Sequence, residues 1–165
     1  MSSTFDKVVY KWIKDSVDLN FEGVTVIRSE QNGPRPEGDF VSYKVLNWLK
    51  SDFNGFKKSS IDDDDIKVNH FNRNLVTVSI NVYSIYGREI VNDLTFSKNE
   101  WSVRRELMNS KVSQLSAGTV NDLTFLGDSD YRRRFQCDFK FLVWTEFDET
   151  RPKVNDLEIS GTVHH

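Results

Sequence analysis

Residues 30–39 read Glu30-Gln31-Asn32-Gly33-Pro34-Arg35-Pro36-Glu37-Gly38-Asp39, and they lead into Phe40-Val41-Ser42-Tyr43-Lys44-Val45-Leu46-Asn47-Trp48. Two of the chain's 3 prolines fall in the first segment, so it is marked off from everything around it. Proline fixes φ near −65° and has no backbone donor. Each proline also turns the residue before it, Gly33 or Arg35, away from helix. Gly33 and Gly38 can take positive φ. The segment is therefore expected to be a stiff, extended connector, unable to join a helix or an interior strand. Phe40, Val41, Tyr43, Val45 and Leu46 then form a β-rich run. A stiff loop feeding a strand keeps its shape when a partner docks on it. A plain turn that starts a strand has the same composition.

Upstream, Phe5, Val8, Val9, Trp12, Ile13 and Val17 repeat at i, i+3, i+4 and i+7. This spacing predicts an amphipathic helix of about four turns. Ser3 or Thr4 is the expected N-cap, with Asp6 in the first turn. Asn20 or Gly23 should end the helix, and Val24, Val26 and Ile27 suit a short strand before the connector.

Downstream, residues 50–60 carry the turn pair Asn54-Gly55 and the run Lys57-Lys58-Ser59-Ser60, which reads as a loop. Lys67 to His70 resume a strand pattern. The clearest strand runs over 75–86, with Val76, Val78, Ile80 and Val82 on one face and Thr77, Ser79 and Asn81 on the other. Residues 88–108 read as helical, with Ile90, Leu94, Trp101, Leu107 and Met108 as the apolar stripe. Ser97-Lys98-Asn99-Glu100 fits a capping box, so a second helix is expected to start there. Residues 134–145 form another strand, in which Phe135, Cys137, Phe139, Phe141 and Val143 alternate with polar residues. Leu157, Ile159, Gly161 and Val163 suit a final strand. Val-Asn-Asp-Leu-Thr-Phe occurs at 91–96, read as helix, and at 120–125, read as loop leading into strand.

The fold class that follows is α+β: a mainly antiparallel sheet packed on one face by an N-terminal helix and a central helix. The 165 residues suit one domain over 1–165. A net charge of −3 and a pI near 5.6 argue against a general nucleic-acid binder. They still allow a protein that surrounds DNA without gripping it. One cysteine, Cys137, makes no internal disulfide and fits a reducing compartment. No run of about 18 apolar residues suggests a membrane span, and residues 1–6 lack the parts of a signal peptide. His164 and His165 are set aside from any metal argument.

Chemistry-bearing constellations are sparse. Asp62, Asp63, Asp64 and Asp65 could ligate a hard cation through oxygen, but they lack the spacing and glycine turn of a calcium loop. A solvated, mutually repelling loop fits the same run, as does an acidic wall that keeps DNA from sticking. His70 near these acids could make a general-base pair or be an ordinary strand residue. Cys137, on an apolar strand face, is expected to be buried and inert. Arg132, Arg133 and Arg134 are the densest basic cluster. On a continuous strand they would alternate between faces and so form no single patch. There is no Gly-rich phosphate loop, zinc-ligand spacing or nucleophile elbow, so no enzymatic site and no cofactor are expected.

The chain resembles the phage neck and tail terminator proteins over nearly its whole length and in the family's order. The matching parts are an N-terminal helix, the Gln31-Asn32-Gly33-Pro34-Arg35-Pro36 turn with the strand after it, and Val82-Tyr83-Ser84-Ile85-Tyr86-Gly87 leading into a helix. Asn121-Asp122-Leu123-Thr124, the step from Tyr131 through Arg132, Arg133 and Arg134 into a long strand, and a last strand over 154–163 complete it. The resemblance implies a structural virion component at the neck, assembled in the bacterial cytoplasm. It implies a homo-oligomeric ring, hexameric, that caps the tail tube and offers a joint to the head connector. Implied partners are the tail tube and sheath, the head-connector or stopper proteins, and DNA passing through the lumen unbound. Arg35, Glu37, Arg132 and Arg133 are the expected contact residues. Another head–tail or tail-tube protein is the nearest competing reading. A small ligand- or metal-binding domain using Asp62, Asp63, Asp64, Asp65 and His70 is the more distant one.

Overall fold

The computed structural model describes residues 2–30, 33–61, 65–126 and 131–152. Helix α1 (Ser2–Asp18) is followed by strand β1 (Thr25–Arg28), and then by β2 (Phe40–Ile61) and β3 (Asp65–Tyr83). Next come α2 (Gly87–Phe96), a 3-10 turn (Ser97–Asn99) and α3 (Trp101–Asn109). The short strands β4 (Val112–Ala117), β5 (Asn121–Asp122), β6 (Phe125–Leu126) and β7 (Tyr131–Arg132) lead to the long β8 (Phe135–Pro152). The main sheet has the order β1-β2-β3-β8-β4, with β5 also on β8, while β6 and β7 pair separately. Every pairing is antiparallel except β1 with β2. The α+β expectation holds.

The strand alternation places one apolar face under the helices. Tyr43, Ile80 and Cys137 form one row across β2, β3 and β8, and Val45, Val78 and Phe139 form the next. α1 lies over these rows. Its Trp12 meets Phe139 and Phe141 edge-on at 5.3 and 5.2 Å, and Phe5 meets Trp48 at 5.4 Å. Ile13, Val17, Ile90 and Leu94 are wholly buried between the layers. Each such side chain contributes about 1.5–3 kcal/mol by leaving water. The opposite face is polar: Gln136 donates to Ser79 Oγ at 3.1 Å and to the Asp138 carboxylate at 2.6 Å.

Several expectations change. Residues 50–60 are strand rather than loop, because β3 supplies partners for Lys50, for residues 54–58 and for Ser60, and the pairing runs on as far as Ile61 opposite Ile66. Asn54-Gly55 marks a register shift between Lys50 and Asn54 rather than a turn. Gly55 faces Phe71, and an added Cβ would lie 2.1 Å from the Phe71 ring, so only glycine lets that ring lie across the neighbouring strand. The two-helix reading of 88–108 holds, but Ser97 is not the cap. Glu100 occupies that position, while Ser97 Oγ is committed to donating to Leu94 C=O (2.8 Å) and accepting from Trp12 Nε1 (2.9 Å). Trp101 is 70% exposed and Met108 is also exposed, so the apolar stripe of α3 reduces to Leu107 with Val103 partly buried. Ser3 and Thr4 lie inside α1 rather than before it. The strand from 134 runs on to Pro152. The expected strand at 157–163 and Asp62, Asp63 and Asp64 lie outside the described residues.

Beyond Trp48, Val76 and Phe141 the helical cover ends. β2, β3 and β8 continue together as a three-stranded arm, roughly 35 Å long at about 3.3 Å per residue.

Candidate assembly interface

The connector meets the sheet at the end opposite the arm. Thr25 N–H donates to Asp39 C=O at 3.1 Å, which anchors the connector's end to β1. Gly38 turns it there with φ +80°. At the connector's start Glu30 takes φ 68°, a left-handed conformation that costs a non-glycine residue about 1–2 kcal/mol. Its carboxylate pairs with Lys44 Nζ on β2, which holds the bend.

Arg35 then folds back over the polar face. Its guanidinium carbon lies 5.0 Å from the Phe40 ring centre and 4.7 Å from that of Tyr83. The two rings stack on each other at 4.4 Å. Phe40 and Tyr83 are direct partners across β2 and β3, so the stack is a cross-strand pair on the polar face. The cation on its surface explains why Phe40 is buried there. Asp39 accepts a 2.6 Å hydrogen bond from Ser84 Oγ, and Ser84 Oγ accepts from Tyr86 N–H at 3.0 Å. This latch ties the connector to the turn between β3 and α2.

Arg133 and Arg134 arrive from the step between β7 and β8. Arg134 donates through Nε and Nη2 to Asn81 Oδ1 at 3.1 and 2.9 Å, with its guanidinium 5.8 Å from the Tyr83 ring centre. Arg133 is exposed and lines a hollow of about 350 Å³ together with Arg35, Asp39, Tyr83, Ser84 and Ile85. The expectation that the arginines could not share a patch is overturned for Arg133 and Arg134. Neither residue is in a strand, so the alternation that would separate them does not apply. Beside them, hydrogen bonds from Thr124 hold the Asp122 carboxyl below its ordinary value, and the charges of Arg88 and Arg133 add to this.

Of the four expected contact residues, the structure brings Arg35 and Arg133 together. Glu37 is exposed on the connector. Arg132 pairs through its backbone with Phe125. Ile85, Tyr86, Leu123 and Phe125 expose apolar surface on the segments around the hollow. Sequence reading missed the Phe40–Tyr83 stack and the Asp39–Ser84 latch. The signal for the stack was the aromatic residue directly after the connector, but its partner 43 residues on is fixed only by strand register.

The other constellations lie elsewhere. His70 Nε2 is 2.7 Å from the Glu149 carboxylate, and its ring stacks on Phe147 at 4.7 Å, on the arm. Asp65 begins β3, five strand steps and about 17 Å from His70. Among the described residues no group of three or more His, Cys, Asp or Glu could hold a metal ion. Cys137 is buried, and burial pushes its thiol up, away from the reactive thiolate. No helix among the described residues is long and apolar enough to cross a membrane. An exposed arginine on a pinned loop over two stacked aromatic rings, with a second exposed arginine and apolar side chains nearby, has the composition of a protein–protein contact.

Compared with models of known protein families, residues 3–165 match the one described as phage neck terminator protein. No curated protein matches the chain.

Proposed function

Because the chain belongs to the phage neck terminator family, and so is a structural protein of the virion neck, we propose that its copies form a hexameric ring on the end of the tail tube. The ring stops tube growth and gives the head connector its docking surface, with DNA passing through the lumen unbound. The observation that carries this reading is the arginine–aromatic surface around Arg35, Tyr83 and Arg133. Its backbone is fixed before any partner arrives, by Gly38, by the Glu30–Lys44 pair and by the Asp39–Ser84 latch. A surface ordered in advance loses less entropy on docking. Arg35 and Arg133 are the contact residues, with Glu37 beside them on the connector, and they engage carboxylate-bearing partners in the tube, the connector or a neighbouring subunit.

Deleting the coding sequence and examining the lysate by electron microscopy tests the role. Filled heads separate from tails, with tails of uncontrolled length, are the expected result. Intact particles would overturn it. Arg35→Glu tests the surface: the variant should fold normally and yet reduce joined particles at least tenfold. Normal particle numbers would remove Arg35 from the contact.

A further inference from the structure

The arm carries two long outer edges. β1 covers the outer side of β2 only from Phe40 to Tyr43. From there to Ile61, β2 has no outer strand among the described residues. On the other side β4 and β5 cover β8 as far as Val143. Beyond Val143, Trp144 N–H still donates to Lys111 C=O at 2.9 Å. From Thr145 to Pro152, β8 has no outer strand among the described residues.

The Trp144 bond fixes how the β8 edge presents itself. Backbone groups of successive strand residues point to opposite sides. Since Trp144 points outward, so do the N–H and C=O groups of Glu146, Asp148 and Thr150. The edge is regular: β8 keeps unbroken register with β3 from Pro152 opposite Asp65 to Phe135 opposite Val82. A regular edge of this kind is a template for another strand.

Charge says which strand. Outer β8 carries the acids Glu146, Asp148 and Glu149, with Glu146 also paired to Lys111 and Glu149 to His70 of the same copy, whereas β2 from 44 onward carries the bases Lys44, itself paired to Glu30, and Lys50. Two β8 edges would set acid against acid, and two β2 edges base against base. β2 and β8 both run antiparallel to β3, so they point the same way. Copies related by a rotation axis along the strands would therefore meet in parallel.

We propose that the β8 edge of one copy pairs with the β2 edge of a second copy, acidic strand against basic strand. The inference rests on the ring reading above and says what joins the ring. Two different edges make a heterologous contact, which closes when the rotation closes. Main-chain hydrogen bonds hold the pair, and the charges choose the edge.

Zero-length carbodiimide coupling of lysines to carboxylates in intact virions tests the contact on the unaltered protein. The expected product is a ladder of linked subunits, with Lys50 joined to Glu146, Asp148 or Glu149. A second measurement uses Asp148→Pro, which deletes an outward N–H without removing a backbone bond inside its own sheet; the 2.8 Å hydrogen bond from Asn69 to the Asp148 carboxylate is lost equally in Asp148→Ala. The purified variant should melt within about 2 °C of Asp148→Ala, while its incorporation into virions falls at least tenfold and Asp148→Ala incorporates at no less than half the parent level. Ring-bearing virions that show no such links, or that take up Asp148→Pro normally, would overturn the edge pairing and leave the ring standing. A lower melting temperature for Asp148→Pro alone would mean the chain's own residues occupy that edge, which also overturns it. Intact particles from the deletion would remove the ring reading and this inference together.

Discussion

Residues 91–96 and 120–125 share the sequence Val-Asn-Asp-Leu-Thr-Phe and fold differently. The first copy is the body of α2. Val91 and Leu94 join Ile90 in the core, Thr95 Oγ donates back to Val91 C=O at 2.8 Å, and Asp93 accepts from Asn20 at 2.7 Å. In the second copy Asn121 and Asp122 form β5 against Gln136 and Phe135, Leu123 N–H donates to Arg134 C=O at 2.7 Å, and Phe125 pairs with Arg132. The same Asp-x-Thr now makes a local turn, with Thr124 N–H donating to Asp122 Oδ1 at 3.0 Å. Flanking residues decide between the two. Ile90 extends Val91 and Leu94 into a helical stripe, whereas Gly118 precedes the second copy and is tied to Asp138 C=O at 2.7 Å. One copy is therefore a piece of core, and the other lies beside the proposed contact surface.

The largest expected difference is at the leucines. Leu94 is 0% exposed, so Leu94→Ala should cost about 2–5 kcal/mol. Leu123 is 42% exposed, and Leu123→Ala should stay within about 0.5 kcal/mol. Denaturant unfolding of the two variants reads this directly, and equal losses would break the distinction. A middle-sized effect is expected just past the first copy, where Ser97→Ala leaves the buried Trp12 N–H without its acceptor at a cost of about 1–3 kcal/mol. A change too small to resolve in the same assay would show that Ser97 does not hold the end of α2.

The smallest effect separates the threonines. Thr95→Val and Thr124→Val should each change stability by less than about 0.5 kcal/mol. Only Thr124→Val should let the Asp122 carboxyl rise toward its ordinary value, as followed by NMR titration. The sign follows from the depressed folded value. The contribution of Asp122 is present above the unfolded value of about 3.9 and fades as pH falls through the folded one. Thr124→Val should weaken that acid dependence. An unmoved Asp122 titration would mean that the Thr124 backbone N–H, with the charges of Arg88 and Arg133, sets it rather than the Thr124 hydroxyl.

The sequence by itself determined the layers. The two-residue alternation of Val76, Val78, Ile80 and Val82, and of Phe135 to Val143, leaves one apolar face that must be covered, and the stripe on α1 can cover it. Cys137 was readable as buried for the same reason. The stiff connector was legible because proline and glycine act on their own backbone. The helical copy of the repeated hexapeptide was readable from its flanking residues, whereas only the tertiary structure decided how far the strands run and that Arg35, Tyr83 and Arg133 meet. Residues 50–60 carry no strand pattern and become strand because β3 offers their backbone groups partners. The arginine surface needs Phe40 opposite Tyr83, a register set by pairing across the sheet. Periodicity fixes which way a side chain faces, whereas the identity of its neighbour depends on contacts between residues far apart in the chain.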